Sequence, residues 1–342
     1  LIPRITLAAD YDISRLIKGG WHLAGGHGDV DPIVARRDMA RFVEAGITTF
    51  DCADIYTGVE ALIGAFRREY PALAPRLRIH TKFVPDLNRL RDADGHYVES
   101  VIDRSLARLG VDRLDLVQFH WWDYAVPRYV DVALELERLR AKGKIDRIGV
   151  TNFDVAHLAE IVEAGVPVFS HQLQYSLLDD RPSGAMTAYC REHGIALLCY
   201  GTVAGGFLSE RWLDAAQPTA TLANRSLTKY QLILEDFGGW SSFQALLATL
   251  ARIGARHGCD IASVATLAVL ARPGVAAAIV GATNDVHLAA HRRLGEVVLD
   301  AHDLAAIGVA TSARQGPLGA VYELERDRVG RHGRIMKYNL NT

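Results

Sequence analysis

Short runs rich in Val, Ile, Leu and Phe alternate with longer segments of helical period along almost the whole chain, and this alternation limits the possible folds more than any other feature. A strand followed repeatedly by an amphipathic helix predicts a parallel sheet with crossover helices. Strands are expected at about 15–21, 47–53, 77–83, 114–120, 147–151, 168–175, 196–201 and 276–281. Eight such units point to an α/β class protein in the form of a closed (β/α)8 TIM barrel.

The segments between the strands behave as surface helices. Over residues 36–45, Met39, Phe42 and Val43 recur at three- and four-residue spacing and Gly46 ends the run; over 101–109, Val101, Ile102, Leu106 and Leu109 share a face opposite Asp103, Arg104 and Arg108. The 342 residues are read as one domain, with the barrel at about 15–295 and a C-terminal helix and tail at 296–342. One long stretch, 202–240, interrupts the repeat after the seventh strand, and a loop of that length in a compact domain is read as a lid or binding loop.

Composition narrows the function. With 38 basic and 40 acidic residues, a formal net charge of −2, and no long run of either sign, neither nucleic acid nor an anionic membrane is expected as a partner. The apolar stretches are too short or too interrupted to span a bilayer. Leu1-Ile2-Pro3-Arg4 has neither the basic region nor the apolar core of a secretion signal, so a cytoplasmic location is the expectation. Cys52, Cys190, Cys199 and Cys259 are scattered without metal-ligand spacing and read as reduced thiols, with no metal site. Oligomeric state leaves no mark in the sequence.

In a parallel barrel, sites are built where strands end and the following loops begin. Asp51 closes the second strand with Tyr56 five residues later, Lys82 ends the third and His120 the fourth; Asn152, Gln172, Tyr200 and Gly281 stand at or near the ends of the rest. Any one has an ordinary structural explanation. Four chemically complementary groups from three successive strand ends do not, because closure brings them to one rim. A nearby ammonium lowers the pKa of a phenol, so Lys82 is expected to tune Tyr56, and Asp51 to keep the buried Lys82 charged. His120 is expected to hydrogen-bond a substrate carbonyl oxygen. The set delivers a proton to oxygen and contains no nucleophile. A metal hydrolase using His80, His120 and Asp51 is disfavoured, since Lys82 among the ligands would repel the cation.

At Phe50-Asp51-Cys52-Ala53-Asp54-Ile55-Tyr56-Thr57-Gly58-Val59-Glu60 with Leu62-Ile63-Gly64, the chain resembles the aldo-keto reductase superfamily. Thr81-Lys82, Phe119-His120-Trp121, Gly143-Lys144-Ile145 through Gly149-Val150-Thr151-Asn152-Phe153, Gln172 with Tyr175-Ser176-Leu177-Leu178, and Val280-Gly281-Ala282 extend the match over roughly 15–295. The resemblance implies an NAD(P)H-dependent oxidoreductase that interconverts a small-molecule carbonyl and its alcohol, with Asp51, Tyr56, Lys82 and His120 as catalytic tetrad. It implies cofactor contacts from Gly20, Trp21, Asp51, Thr151, Asn152, Gln172 and Tyr200, from Gly201, Val203, Gly206 and Leu208 after the seventh strand, and from Gly281, Thr283, His287 and His291 after the eighth. Substrate contacts are expected from Trp21, Tyr56, His120 and Trp121, with Tyr124, Trp212 and Trp240 as further candidates. NADP(H) is the expected cofactor with NAD(H) second, since Gly281, His287 and His291 replace the Lys, Arg and Asn by which the family's best-characterised branch reads the 2′-phosphate and adenine. The alternative implied by the same resemblance is a cofactor-binding regulatory subunit.

Overall fold

In the computed structural model, which describes residues 2–25, 28–219 and 222–340, the chain opens with an antiparallel hairpin, β1 (Arg4–Ala8) and β2 (Tyr11–Ser14). Eight strands follow: β3 (Leu16–Gly19), β4 (Thr49–Asp51), β5 (Arg78–Phe83), β6 (Leu114–Phe119), β7 (Ile145–Thr151), β8 (Val168–Gln174), β9 (Ala196–Tyr200) and β10 (Val275–Gly281). They pair in parallel in chain order, and β10 returns to β3 with Gly281 opposite Gly19 to close the barrel. Each expected strand overlaps one of these. The hairpin was not foreseen; it ends at Ser14, just before the expected first strand, which is only four residues long.

Helices α1 (Pro32–Glu44), α2 (Val59–Glu69), α3 (Gly95–Leu109), α4 (Tyr129–Ala141), α5 (Val155–Glu163) and α6 (Ala185–Glu192) fill the crossovers. Their ends follow from local chemistry. Asp31 caps α1 by accepting from the amides of Ile33 and Val34, ahead of Pro32 in the first turn, and Gly110 ends α3 in the left-handed region at φ 65°. Leu16, Phe50, Val117 and Phe119 face this helical layer. Because successive strand residues face opposite sides, Ile17, Leu116, Leu198 and Ile279 fill the barrel interior, which the hairpin plugs with Tyr11 and Ile13. The Tyr11 hydroxyl lies 3.2 Å from His80 Nε2. Above this plug the interior turns polar.

The stretch after β9 is more ordered than its reading as a loop implied. Two single turns at 204–206 and 210–212 lead into α7 (Arg225–Phe237), a 13-residue helix whose Asn224 cap accepts from the Leu227 amide. It continues into α8 (Gly239–His257), with α9 (Ile261–Leu270) preceding β10. Leu177, Phe207, Trp212, Ile233, Leu234 and Phe243 form a second apolar cluster beneath this segment. After β10 come α10 (Leu288–Arg293) and α11 (Ala301–Thr311), and the tail then crosses back over the barrel mouth through α12 (Glu323–Arg326). Among the described residues the cysteines are unpaired, and no helix is long and apolar enough to cross a membrane.

Candidate active site

The cavity at the C-terminal ends of the strands has a volume of about 850 Å³ and contains Asp51, Tyr56, Lys82 and His120 in its wall. Asp51 lies opposite His80 in the β4–β5 pairing, two residues before Lys82, and the Asp51 and Lys82 side chains form a buried ion pair with Lys82 Nζ 2.7 Å from Asp51 Oδ2. Nζ also donates to the Cys52 carbonyl at 2.9 Å and sits 4.7 Å from the centre of the Tyr56 ring. Burial opposes the ammonium, but Asp51 and Tyr56 outweigh it and raise the Lys82 pKa above its usual value. Tyr56 differs from expectation. Burial raises its pKa, and Lys82 only partly offsets that through its charge and a hydrogen bond, so the phenol holds its proton more firmly than a free tyrosine.

His120 is neutral. Burial, then the charge of Arg326, depresses its pKa to about 3, against a backbone hydrogen bond that favours protonation. Nδ1 lies 3.1 Å from the Thr151 carbonyl, which can only accept, so Nδ1 carries the proton and the buried Nε2, which has no hydrogen-bond partner among the described residues, presents a lone pair. The ring therefore accepts an O–H, from an alcohol or from a hydroxyl beside a carbonyl. The sequence-based expectation that it donates to a carbonyl oxygen is revised accordingly. Trp122 and Tyr322 pack edge-on against the ring at 4.3 and 5.5 Å.

A second polar group sits beside the tetrad. Gln172 Nε2 donates to Asp51 Oδ1 at 2.6 Å and to Gln118 Oε1 at 3.0 Å, which uses both of its protons and leaves Oε1 as an acceptor. Asn152 adopts a left-handed φ of 62°, and its Oδ1 accepts from the Tyr200 hydroxyl at 2.9 Å, leaving the Nδ2 donors with no partner among the described residues. One acceptor and one amide donor, both in the cavity wall, match the two halves of a carboxamide. Asn152 is not the cap of the next helix; Asp154 fills that role. Thr151, Tyr200, Gly201, Val203, Gly206, Gly281, Thr283, His287 and His291 also line the cavity, as does Trp21, whose ring meets Tyr56 at 5.1 Å.

Three predicted contacts lie elsewhere. Gly20 is absent from the wall, and its neighbour Gly19 is present. A Cβ on Gly20 would come within 2.6 Å of the Asp51 carbonyl, so this glycine serves the close approach of β3 to β4. Leu208 is buried in the second apolar cluster. Trp121 is fully buried against Phe119, and its Nε1 donates to the carbonyls of Asp123 and Val126, whereas Trp122 lines the cavity. The period-two alternation contained this answer: Gln118, His120 and Trp122 fall on one side, Phe119 and Trp121 on the other. Tyr124, Trp212 and Trp240 do not line the cavity either.

The adenosine end of such a cavity would be marked by His287 and His291. His291 is held neutral by burial and by His287, with a pKa of about 4. Gly281 leaves room that His22 occupies, since a Cβ there would meet the imidazole at 2.3 Å. Two carboxylates join this wall: Asp260, which caps α9 through the Ser263 amide, and Glu210, which accepts from the Ile261 amide at 2.6 Å. The tail adds Tyr322, Ile335, Met336, Lys337 and Leu340 to the mouth, and α7 adds Arg225, Ser226, Lys229 and Tyr230. The α7 residues fall in the 202–240 stretch read as a lid or binding loop, whereas no sequence pattern pointed to the tail.

Comparisons with known proteins agree with this geometry. The family described as Aldo/keto reductase family matches residues 15–310. The chain is 25% identical to the NADH-specific methylglyoxal reductase of Escherichia coli, over 80% of this chain and 87% of that protein. It is 26% identical to the 6-dehydroglucose reductase of Agrobacterium fabrum, over 83% and 89%. Flagellar radial spoke protein 5 of Chlamydomonas reinhardtii is 28% identical over 62% of this chain, which spans only 47% of that longer protein. The glycerol dehydrogenase structure from Gluconobacter oxydans superposes with a TM-score of 0.76 at 21% identity, covering 91% of this chain and 95% of that one, and so shares the fold.

Proposed function

Because the chain belongs to the aldo/keto reductase family and is an NAD(P)-dependent oxidoreductase, we propose that it reduces an aldehyde or ketone with Tyr56 as the general acid, and oxidises the alcohol by the reverse step. When bound, the nicotinamide supplies the hydride. Asn152 and Gln172 hold its carboxamide, and Tyr200 offers a ring face beside them. Tyr56 gives its hydroxyl proton to the carbonyl oxygen, Lys82 steadies the phenolate left behind, and Asp51 neutralises Lys82. His120 accepts the O–H of the alcohol form or of a neighbouring hydroxyl. The observation that carries this reading is the placement of the Tyr56, Lys82 and Asp51 side chains in one wall with the Asn152–Gln172 amide pair.

For the cofactor, NADP(H) is accepted with weak discrimination against NAD(H). A 2′-phosphate is ordinarily read by Arg or Lys, and here Gly281, His287 and a neutral His291 stand with two carboxylates, Glu210 and Asp260, while the cation next to Glu210, Arg211, lies over the Trp212 ring. The E. coli relative described as NADH-specific agrees with that direction. The test is a panel of aldehydes and ketones assayed with NADH and NADPH in parallel, following loss of reduced-nicotinamide absorbance. Turnover with both, at dissociation constants within ~10-fold of each other, about 1.4 kcal/mol, is expected. No turnover of any compound with either cofactor would overturn the reductase reading.

A further inference from the structure

Lys229 is the cavity residue that the proposed chemistry leaves without a task. It lies on α7 one turn beyond Ser226, which accepts from Trp21 Nε1 at 3.3 Å, and its side chain is only 15% exposed. The ammonium is surrounded by aromatic rings, 5.1 Å from the centre of Tyr200 and 5.7 Å from those of Tyr230 and Tyr322. Tyr322 in turn packs against His120. Lys229 is thereby placed beside the reacting end of the cavity, not buried behind it.

The charges around it are unevenly shared. Glu325, its nearest carboxylate, stands 3.9 Å away, beyond hydrogen-bond distance, and is already held by both terminal nitrogens of Arg181 at 3.0 Å. Arg181 also binds Asp179 through two nitrogens at 2.8 and 2.9 Å. Glu325 thus keeps Lys229 from being an isolated charge but takes none of its protons. Among the described residues no acceptor lies within hydrogen-bond distance of Nζ. Arg225 and Lys337 line the same cavity and have no ion-pair partner among the described residues. The carboxylates in the wall are committed: Asp51 to Lys82, and Glu210 and Asp260 to the start of α9. A low-polarity pocket with an ammonium whose donors are unused favours an anionic oxygen group.

We infer that Lys229 is a substrate anchor: its ammonium holds an anionic oxygen group of the carbonyl compound while Tyr56 and His120 hold the reacting end. This rests on the carbonyl-reductase reading and narrows it to acidic aldehydes or ketones. Burial depresses the Lys229 pKa, with Glu325 opposing, and an anion beside the ammonium favours the charged form that burial disfavours.

The test compares each carboxylated aldehyde with its neutral amide at saturating reduced cofactor, using 4-carboxybenzaldehyde against 4-formylbenzamide and 4-oxobutanoate against 4-oxobutanamide. For at least one pair, the wild-type kcat/KM ratio is expected to favour the carboxylate by ~10- to 100-fold, the range of a charge-assisted hydrogen bond. Lys229→Met is expected to bring that ratio towards one, and Lys229→Arg to retain most of it. Benzoate, which has no carbonyl to reduce, is titrated against the enzyme loaded with oxidised cofactor by protein fluorescence and is expected to bind more weakly to Lys229→Met. Lys229→Gln replaces the Met variant if that one fails to fold. Ratios near one for both pairs in the wild type, or a ratio that survives the substitution, would overturn the inference. A loss of cofactor affinity with an unchanged ratio would assign Lys229 to the cofactor diphosphate and also overturn it. If the wild type turns over none of the aldehydes, the reductase reading fails, and the benzoate titration still decides the role of Lys229.

Discussion

Tyr56 is set by two opposed influences, and their balance determines how the enzyme responds to pH. Burial raises the phenol pKa while Lys82 lowers it, with the net shift upward. On the proposed chemistry, a proton donor that stays protonated suits reduction across the neutral range, whereas alcohol oxidation requires the phenolate and should accelerate as pH rises towards the Tyr56 pKa. Removing Lys82 alone would strand the buried Asp51 carboxylate, a change worth about 3–5 kcal/mol in comparable pairs. The informative variant is therefore Asp51→Asn with Lys82→Met. Because Lys82 lowers the phenol pKa through its charge and a hydrogen bond, by more than Asp51 raises it, loss of the pair should move the alkaline limb of the oxidation profile to higher pH and slow oxidation at any fixed pH below it. A folded double variant with an unshifted limb would show that Lys82 does not tune Tyr56. The polar residues at strand ends were legible because strand ends are where barrels place sites. The Trp121 and Trp122 assignment was not, because the family-like Phe119-His120-Trp121 run drew attention from the simpler alternation that sends Trp121 to the helical layer.

Elements were legible in proportion to how local their causes are. Periodicity, caps and glycine stops are written in a few neighbouring residues, and the eight barrel strands followed from them. The tail is the contrary case. Arg326 donates from one nitrogen to the carbonyls of Trp121 and Asn152 at 3.0 and 2.8 Å, across 205 and 174 residues of sequence, and so steadies the ends of the loops that carry His120 and Asn152. Nothing near Arg326 in the sequence announces those partners. Likewise α7 appeared as an interruption of the repeat because its apolar face packs on the second cluster and not on the barrel. The first turns of the same stripe, through Arg225, Ser226, Lys229 and Tyr230, cover the cavity. A cover that touches the ligand is steadied by it, so amide hydrogen exchange over 201–212 and 225–237 should slow when nicotinamide dinucleotide is bound. Equal exchange with and without the nucleotide would show that this segment is not the cover.

At the scale of the whole molecule, barrel closure makes one site out of residues spread through the sequence: Trp21 after the first barrel strand, the tetrad from the next three, Asn152, Gln172 and Tyr200 from the fifth to seventh, and Gly281 from the last. The barrel interior changes from apolar at the plugged end to polar at the open end, through His80, Gln118 and Gln172, so that the Asp51–Lys82 pair is buried yet hydrogen-bonded. On the proposed chemistry, this assembly delivers one proton, from Tyr56, to the oxygen of a carbonyl reduced by the bound cofactor. Tyr56→Phe tests it most directly, with cofactor dissociation constants measured beside single-turnover rates of carbonyl reduction. Cofactor affinity is expected to stay nearly intact and the rate to fall by ~10²- to 10⁴-fold, the span of a lost general acid; a folded Tyr56→Phe enzyme that reduces carbonyls at the wild-type rate would show that another group supplies the proton.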